Sequence, residues 1–536
     1  MQLAGGDRPI ERHDAIELWR ASIVSPHLCA GPVRFPVAAG ARARSTGGPG
    51  PTTPLNRIGP PLHAIEIEAD RAMTTTLDNQ MSQPEWKQGA AIELEITDLA
   101  DSGDGVGRWA DRVVFVPETV PGDYLSVRLL QVKPTFARAK ILSILDPSPD
   151  RVRPGCIVAD KCGGCQWQHV AYGSQLLAKQ RQVEQALTRL GGFEEPPVLP
   201  ILAAAAPLAY RNKATYPVAP GPDDQIRAGY YQKGSHKIVN LNQCPVQDDR
   251  LDPLLRQVKQ DLTTSGWEPY DETTHTGTVR HLALRIGRRT GEMLLTLVVR
   301  DWEALPGLVT QAELWREQFP QLVGVCVNQQ PQRNNVIFGP ETRCVLGRPA
   351  LEEHLNGLVF EIRPETFFQV NTDQTEELLK TIHQQLALTG REILVDAYCG
   401  VGTLTLPLAQ RAGRAIGIEA QAEAVTQARH NAERNQLTNV EFQVGKVADL
   451  LPQLGLQPDV VLLDPPRKGC EPGVIEALRA IAPARIVYMS CKPATLARDL
   501  KLLCEQGQYQ LDRVQPADFF PQTPHVECVA FLSEHR

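Results

Sequence analysis

From residue 361 onward, short uninterrupted apolar runs alternate with segments of helical spacing, and that alternation leaves few folds open. Ile393 to Asp396, Ala415 to Ile418, Val460 to Leu463 and Ile486 to Met489 read as strands; Thr403 to Gln410, Ala422 to Asn435 and Ala494 to Cys504 read as helices. A strand that is apolar on successive residues must be covered on both faces, and helical crossovers between parallel strands supply that cover. The expectation is an α/β fold: a doubly wound, mainly parallel sheet. Its ligands bind beyond the carboxyl ends of the strands, where strand order reverses.

The text at those strand ends carries chemistry. Asp396-Ala397-Tyr398-Cys399-Gly400-Val401-Gly402-Thr403 follows the first strand, and its glycines let the backbone turn tightly against a ligand. Glu419 ends the next strand, where a carboxylate can accept hydrogen bonds from both hydroxyls of a ribose. Asp464-Pro465-Pro466 follows Val460 to Leu463, and prolines without an N–H suit a rigid, open turn that holds a flat base. The layout fits an adenosine-containing cofactor; a third glycine in dinucleotide spacing is missing. The glycine loop resembles the first motif of class I S-adenosylmethionine methyltransferases, and Asp-Pro-Pro resembles their fourth. The class I Rossmann-like methyltransferase domain is expected over 361–536.

Two further runs supply a nucleophile and a base. Ser490-Cys491-Lys492-Pro493-Ala494-Thr495-Leu496-Ala497-Arg498-Asp499 puts a cysteine between a strand and a helix, where the helix N-terminus is expected to lower its pKa. Phe519-Phe520-Pro521-Gln522-Thr523-Pro524-His525-Val526-Glu527 offers a separate carboxylate at the start of a final strand. Methylation of uracil at C5 needs such a pair. C5 is a poor nucleophile until a thiolate adds to C6, and a base must then remove the C5 proton so that the thiol can leave. These runs, with Phe367-Phe368-Gln369-Val370-Asn371, resemble the signatures of the RNA uracil-C5 methyltransferase family, the RumA/TrmA group, over about 88–536. The resemblance implies Cys491 as nucleophile and Glu527 as base. It implies Gln369, Tyr398, Glu419 and Asp464 as contacts to S-adenosylmethionine. Tyr398 stands where a Phe is familiar and keeps an aromatic wall for adenine; Lys492 stands where Asn is familiar and bears on contact with the RNA backbone. His525 either orients Glu527 or a phosphate, or holds the turn. Cys399, Cys470, Cys504 and Cys528 read as packing.

Upstream, residues 86–146 read as short strands with Gly, Pro and Asp punctuation: Ile92 to Ile96, a turn through Gly103, Gly105 and Gly107, then Val113 to Val116, Tyr124 to Leu130 and Ala137 to Leu145. A small barrel is expected, and the segment resembles a TRAM domain, an OB-like RNA-binding barrel. Residues 147–360 read as a mixed α+β central domain with a helix from Ser174 to Leu190 and a hairpin turning at Gly287 to Gly291. Residues 1–85, rich in Gly, Pro, Ser and Thr, read as a disordered extension or a start-site artefact, with Met73 or Met81 as the alternative start.

Of twelve cysteines, Cys156, Cys162 and Cys165 crowd into ten residues, and no secretory signal opens the chain. In a reducing cytosol clustered thiols point to metal or catalysis rather than disulfides. Cys244, followed by Pro245, is the best fourth ligand. Spacing leaves zinc and a [4Fe-4S] cluster open. The run Cys162-Gly163-Gly164-Cys165-Gln166-Trp167-Gln168-His169 resembles the iron–sulfur segment of the same family, which implies a [4Fe-4S] cluster in a structural or RNA-positioning role.

A net charge of −7 excludes an indiscriminate basic grip on nucleic acid and leaves local patches. Arg211, Lys213, Tyr216, Arg227, Tyr230, Tyr231, Lys233 and Lys237 interleave basic and aromatic residues, as phosphate contact with base stacking would, and as a solvated sheet face would. No run approaches about 18 apolar residues, so no membrane span is expected. The resulting expectation is a cytoplasmic, monomeric enzyme acting on an unpaired or flipped uridine of RNA. The resemblance implies 23S rRNA. A tRNA enzyme and a non-catalytic RNA-binding or RNA-folding protein are the alternatives.

Overall fold

The computed structural model describes residues 86–222 and 225–535. The expectation for residues 1–85 lies outside the described residues.

Strands β1 (Ala91–Leu99), β2 (Gly105–Trp109), β3 (Arg112–Val116), β4 (Tyr124–Val132) and β5 (Phe136–Asp146) close into a barrel in the order β1-β2-β3-β5-β4. The alternation read in the sequence explains it: Ile92, Leu94 and Ile96 pack inward against Val114, Val116, Leu125 and Val127, while Glu93 and Glu95 face out. The glycine-rich stretch differs from its expected turn. Gly105 and Gly107 are ladder residues of β2, opposite Val116 and Val114. A Cβ on Gly105 would lie 1.9 Å from Thr119 Oγ1, so the wall closes there only around a residue without a side chain.

Helix α1 (Tyr172–Ala186) follows the cysteine segment. The central sheet then forms from β6 (Lys213–Pro220), β7 (Ile226–Ala228), β8 (Val279–Ile286), β9 (Met293–Val299), β10 (Leu322–Gln329) and β11 (Glu341–Gly347), in the order β11-β10-β9-β8-β6-β7. The expected hairpin is β8–β9, antiparallel, with Ile286 opposite Met293. Helices α2 (Asp252–Thr264) and α3 (Leu308–Gln318) cover one face; Leu254, Val258 and Trp315 pack there with Tyr216, Leu282 and Leu297. The strand period of two turns Thr215, Pro217, His281 and Ala283 to the other face, where Pro217 pairs with His281.

The last domain opens with a hairpin, β12 (Leu351–Leu355) and β13 (Leu358–Ile362), then α4 (Thr372–Leu386). The boundary expected at 360 falls inside β13, because Leu355, Phe360 and Ile362 share a core with Leu378 and Leu379 of α4. The remaining elements are β14 (Ile393–Asp396), α5 (Thr405–Ala409), β15 (Arg414–Glu419), α6 (Ala422–Arg434), β16 (Val440–Val444), α7 (Val447–Leu450), β17 (Val460–Leu463), α8 (Pro472–Ile481), β18 (Arg485–Ser490), α9 (Pro493–Cys504), β19 (Tyr509–Ala517) and β20 (Glu527–Glu534). They build a seven-stranded sheet, β16-β15-β14-β17-β18-β20-β19, in which β20 runs antiparallel to its two neighbours. Strand order reverses between β14 and β17. Helix α1, far away in sequence, buries Val183 against this domain in a cluster with Leu496, Leu500 and Val514, and each such side chain contributes about 1.5–3 kcal/mol. Among the described residues no helix is long and apolar enough to cross a membrane.

Candidate active site

Four parallel strands and the one antiparallel strand bring their chemistry-bearing ends to one edge. Asp396 ends β14 and Glu419 ends β15; Asp464 follows β17 and Cys491 follows β18. Because β20 runs the other way, its first residue, Glu527, arrives at that same edge, with Ser490 opposite Cys528 in the ladder.

On the β14 side, the loop after Asp396 turns through Gly402 at φ +84°, a conformation that favours glycine. Asp396 is buried and accepts a hydrogen bond from Thr405 Oγ1 at 2.6 Å. Burial pushes its carboxyl up to about 6. Asp464 is pushed up to about 7, by burial first and then by the charge of Asp396. Glu419 Oε1 accepts from the Gln421 amide at 2.9 Å. Tyr398 is half-buried beside the loop. Gln369 is buried, and its carbonyl accepts from Asn212 Nδ2 at 2.9 Å. Asn371, two residues on, caps α4 by accepting from the Gln374 amide, and donates Nδ2 to the Phe519 carbonyl at 3.3 Å. Two of the sequence runs are thus joined directly.

On the β18 side, Cys491 is half-buried at the start of α9, and its thiol is pushed up rather than down. The helix N-terminus was expected to lower it. Burial and the neighbouring Glu527 and Asp464 carboxylates outweigh that effect, while Arg467 opposes them by charge and a hydrogen bond to the thiol. Glu527 is 4% exposed; burial, then Asp464, hold its carboxyl well above the usual range, again against Arg467. Arg467 is the residue the sequence reading missed. Its signal was a cation directly after Asp464-Pro465-Pro466.

The segment leading into Glu527 is braced by residues far upstream. Lys179 Nζ, fully buried, reaches Asp518 Oδ1 at 2.5 Å and the Phe520 carbonyl at 3.0 Å. Tyr210 donates to the Pro521 carbonyl at 3.2 Å. The Gln166 and Trp167 amides both donate to the Gln522 carbonyl, at 3.1 and 3.0 Å, and Gln175 accepts from the Gln522 amide at 2.9 Å. Gln522 itself has φ +71°. A non-glycine residue persists in that region when its surroundings over-determine it, as they do here. His525 packs edge-on against Phe520, ring centroids 6.1 Å apart, and its imidazole is held below its usual range by burial and by Arg467.

Cys156, Cys162, Cys165 and Cys244 line one cavity of about 310 Å³, with Arg467, Thr523 and His525 in its wall. Burial pushes the Cys165 thiol up to about 11 and the Cys244 thiol up to about 12. As their side chains stand, no group of three or more His, Cys, Asp or Glu among the described residues converges closely enough to hold a metal ion.

A parallel sheet with a glycine loop after its first strand, a carboxylate at the end of the second and one antiparallel strand inserted between its last two parallel strands is the architecture of a class I methyltransferase. The comparisons agree. Residues 389–509 match the methyltransferase domain and residues 85–142 the TRAM domain. An uncharacterized RNA methyltransferase of Nostoc sp. is 63% identical over 452 residues, 84% of this chain and 98% of that protein. One of Synechocystis sp. is 53% identical over 458 residues, 85% of this chain and 99% of that protein. The crystal structure of Pyrococcus abyssi tRNA (uracil-54, C5)-methyltransferase with S-adenosyl-L-homocysteine superposes with a TM-score of 0.66 at 28% identity, over 82% of this chain and all of that one. The chain belongs to the S-adenosylmethionine-dependent RNA methyltransferases of the RumA/TrmA family.

Proposed function

We propose that the protein methylates C5 of a uridine in RNA through a transient bond from Cys491 to C6 of the base. The observation that carries this is the meeting of a cysteine and a buried carboxylate, Cys491 and Glu527, at the ligand-binding edge of a methyltransferase sheet. S-adenosylmethionine supplies the methyl group and departs as S-adenosylhomocysteine. The Cys491 thiolate adds to C6, and the electron pair this delivers to C5 attacks the methyl carbon. Glu527 takes the C5 proton; the C5–C6 double bond re-forms and the Cys491–C6 bond breaks. Arg467 steadies the thiolate. Gln369, Tyr398, Glu419 and Asp464 hold the methyl donor.

The RNA proposed is 23S rRNA, on the combination of barrel and cysteine segment. A tRNA substrate is the second reading, favoured by the likeness to the archaeal tRNA enzyme. Mapping 5-methyluridine in rRNA and tRNA from a deletion strain separates them: one rRNA site should lose its methyl group. A full complement of 5-methyluridine in both RNAs counts against the proposal.

The four clustered cysteines are proposed to hold a [4Fe-4S] cluster. Each iron of a cubane takes one thiolate, so its ligands stand farther apart than the four around a single zinc ion. What supports the reading is that all four thiols line one cavity. The proposed domain limits are a barrel over 86–146, a central cysteine-bearing domain from 147, and the methyltransferase domain to 536.

A further inference from the structure

The second face of the central sheet carries a cavity that neither the cofactor loop nor Cys491 uses. It encloses about 900 Å³ over Thr215, Pro217 and His281. One wall is a stacked pair: the rings of Tyr231 and His236 lie 5.0 Å apart at 21°. Glu272 holds His236 there, with Oε1 3.0 Å from Nδ1, and Tyr231 is 38% exposed, so its ring still offers surface for stacking. The rim is preformed. Arg280 is 5% exposed, lies 4.6 Å over the Tyr270 ring, and donates to the carbonyls of Gln330, Gln332 and Asn334. Arg333 ties the same loop to the Thr273 carbonyl at 2.9 Å.

At the sheet, His281 Nδ1 is buried without a hydrogen-bond partner. Burial and the Arg280 charge push this imidazole down to about 4, so at neutral pH the ring is uncharged, with one donor and one acceptor nitrogen. That nitrogen has no exposed surface, so the partly buried ring must turn toward the cavity it lines before a ligand's hydrogen bond can remove the cost of an unmet group. The charges around the cavity cancel, Asp271 and Glu272 against Arg280 and Arg333. Such a wall has no net attraction for phosphate. A neutral planar ring with polar edges gains both stacking and a hydrogen bond.

We infer that this cavity takes a second, unpaired nucleobase of the RNA, stacked on Tyr231 with its polar edge bonded to His281. The inference rests on the RNA methyltransferase reading and adds to it a base that is bound but not methylated. Tyr231 and His236 also wall an open cavity of about 690 Å³ that reaches Gly163, Gly164 and Gln166 beside the clustered cysteines. Lys237 is exposed on the same turn, beside Lys233, which is ion-paired with Glu118 at 2.8 Å. A strand held at this point can run along that basic turn toward the catalytic edge.

The test uses the full chain and fluorescein-labelled single-stranded octamers of uridylate, adenylate and cytidylate, with binding read by anisotropy and S-adenosylmethionine binding as the check on folding. Tyr231→Ala and His281→Phe should each weaken RNA binding, by about ten-fold for the stacking residue, while Tyr231→Phe binds as the parent does. Cofactor binding should not change. Octamer affinities equal to the parent's in both Tyr231→Ala and His281→Phe overturn the inference, even where 5-methyluridine is still formed. A parent that binds octamers through Tyr231 but forms no 5-methyluridine leaves the cavity assignment standing and sinks only the proposed reaction.

Discussion

Cys491 and Glu527 stand opposite each other at the end of an antiparallel strand pair, each one residue beyond the Ser490–Cys528 pairing of β18 and β20. The proposed nucleophile and the proposed base are thereby positioned by the ladder's main-chain hydrogen bonds rather than by a loop. Replacing Glu527 by Gln keeps the shape and removes the base. The adduct should form, and its breakdown should slow by about 10²–10⁴-fold. A protein–RNA species that survives a denaturing gel is the expected outcome, absent in Cys491→Ala. A Glu527→Gln enzyme that turns over at the parent rate removes this carboxylate from the reaction.

Arg467 opposes the three influences that raise the Cys491 thiol, namely burial, Glu527 and Asp464. The thiolate fraction grows as pH rises through the thiol's raised pKa. Loss of the cation moves that pKa higher still, so Arg467→Ala should shift the rising limb of the rate profile to higher pH and recover part of its rate in alkali. An unmoved limb with a lower plateau would assign Arg467 to substrate binding instead.

Asp396 and Asp464 are pushed up to about 6 and about 7 from an ordinary 3.8. Folded protein therefore binds more protons than unfolded chain in this window, and ligand-free stability falls as pH rises from about 4 to 7. A sulfonium ligand favours the ionised carboxylates, so calorimetry should find S-adenosylmethionine binding tighter at pH 8 than at pH 5.5. Asp464→Asn should weaken it about ten-fold at pH 8 and flatten the dependence. Affinity independent of pH in the parent would contradict the assignment of Asp464 to the methyl donor.

The Lys179–Asp518 pair is fully buried, 2.5 Å between charged atoms. Removing one partner leaves the other charge uncompensated, so Lys179→Met should cost about 3–5 kcal/mol in denaturant unfolding. Adding Asp518→Asn to that background should restore part of the loss. A single substitution within about 0.5 kcal/mol of the parent would mean the segment before Glu527 is held by its other bonds.

For the clustered cysteines, anaerobically purified protein should be brown, with about four irons per chain, and Cys244→Ser should lose the colour. A colourless protein carrying zinc overturns the cluster.

Much of this molecule is legible in one dimension. Continuous apolar runs such as Val460 to Leu463, too short for helices and regularly spaced between helical segments, read as interior strands, and alternation in Ile92 to Ile96 reads as a half-buried wall, because side-chain period is a local property. Motif residues were legible because strand ends project them to one edge whatever lies between. Gly105 was not: whether a glycine turns the chain or lets Thr119 approach depends on a neighbour fourteen residues away. Nor was the influence of Arg467 on Cys491 and Glu527, which stand at the ends of other strands, or the pairing of Lys179, whose partner stands 339 positions further on. The sequence by itself determined the periodic elements and the motif residues that their ends carry to one edge. Tertiary structure alone decided which charges meet, because a charge buried beside its partner depends on both ends of a contact that no local pattern contains.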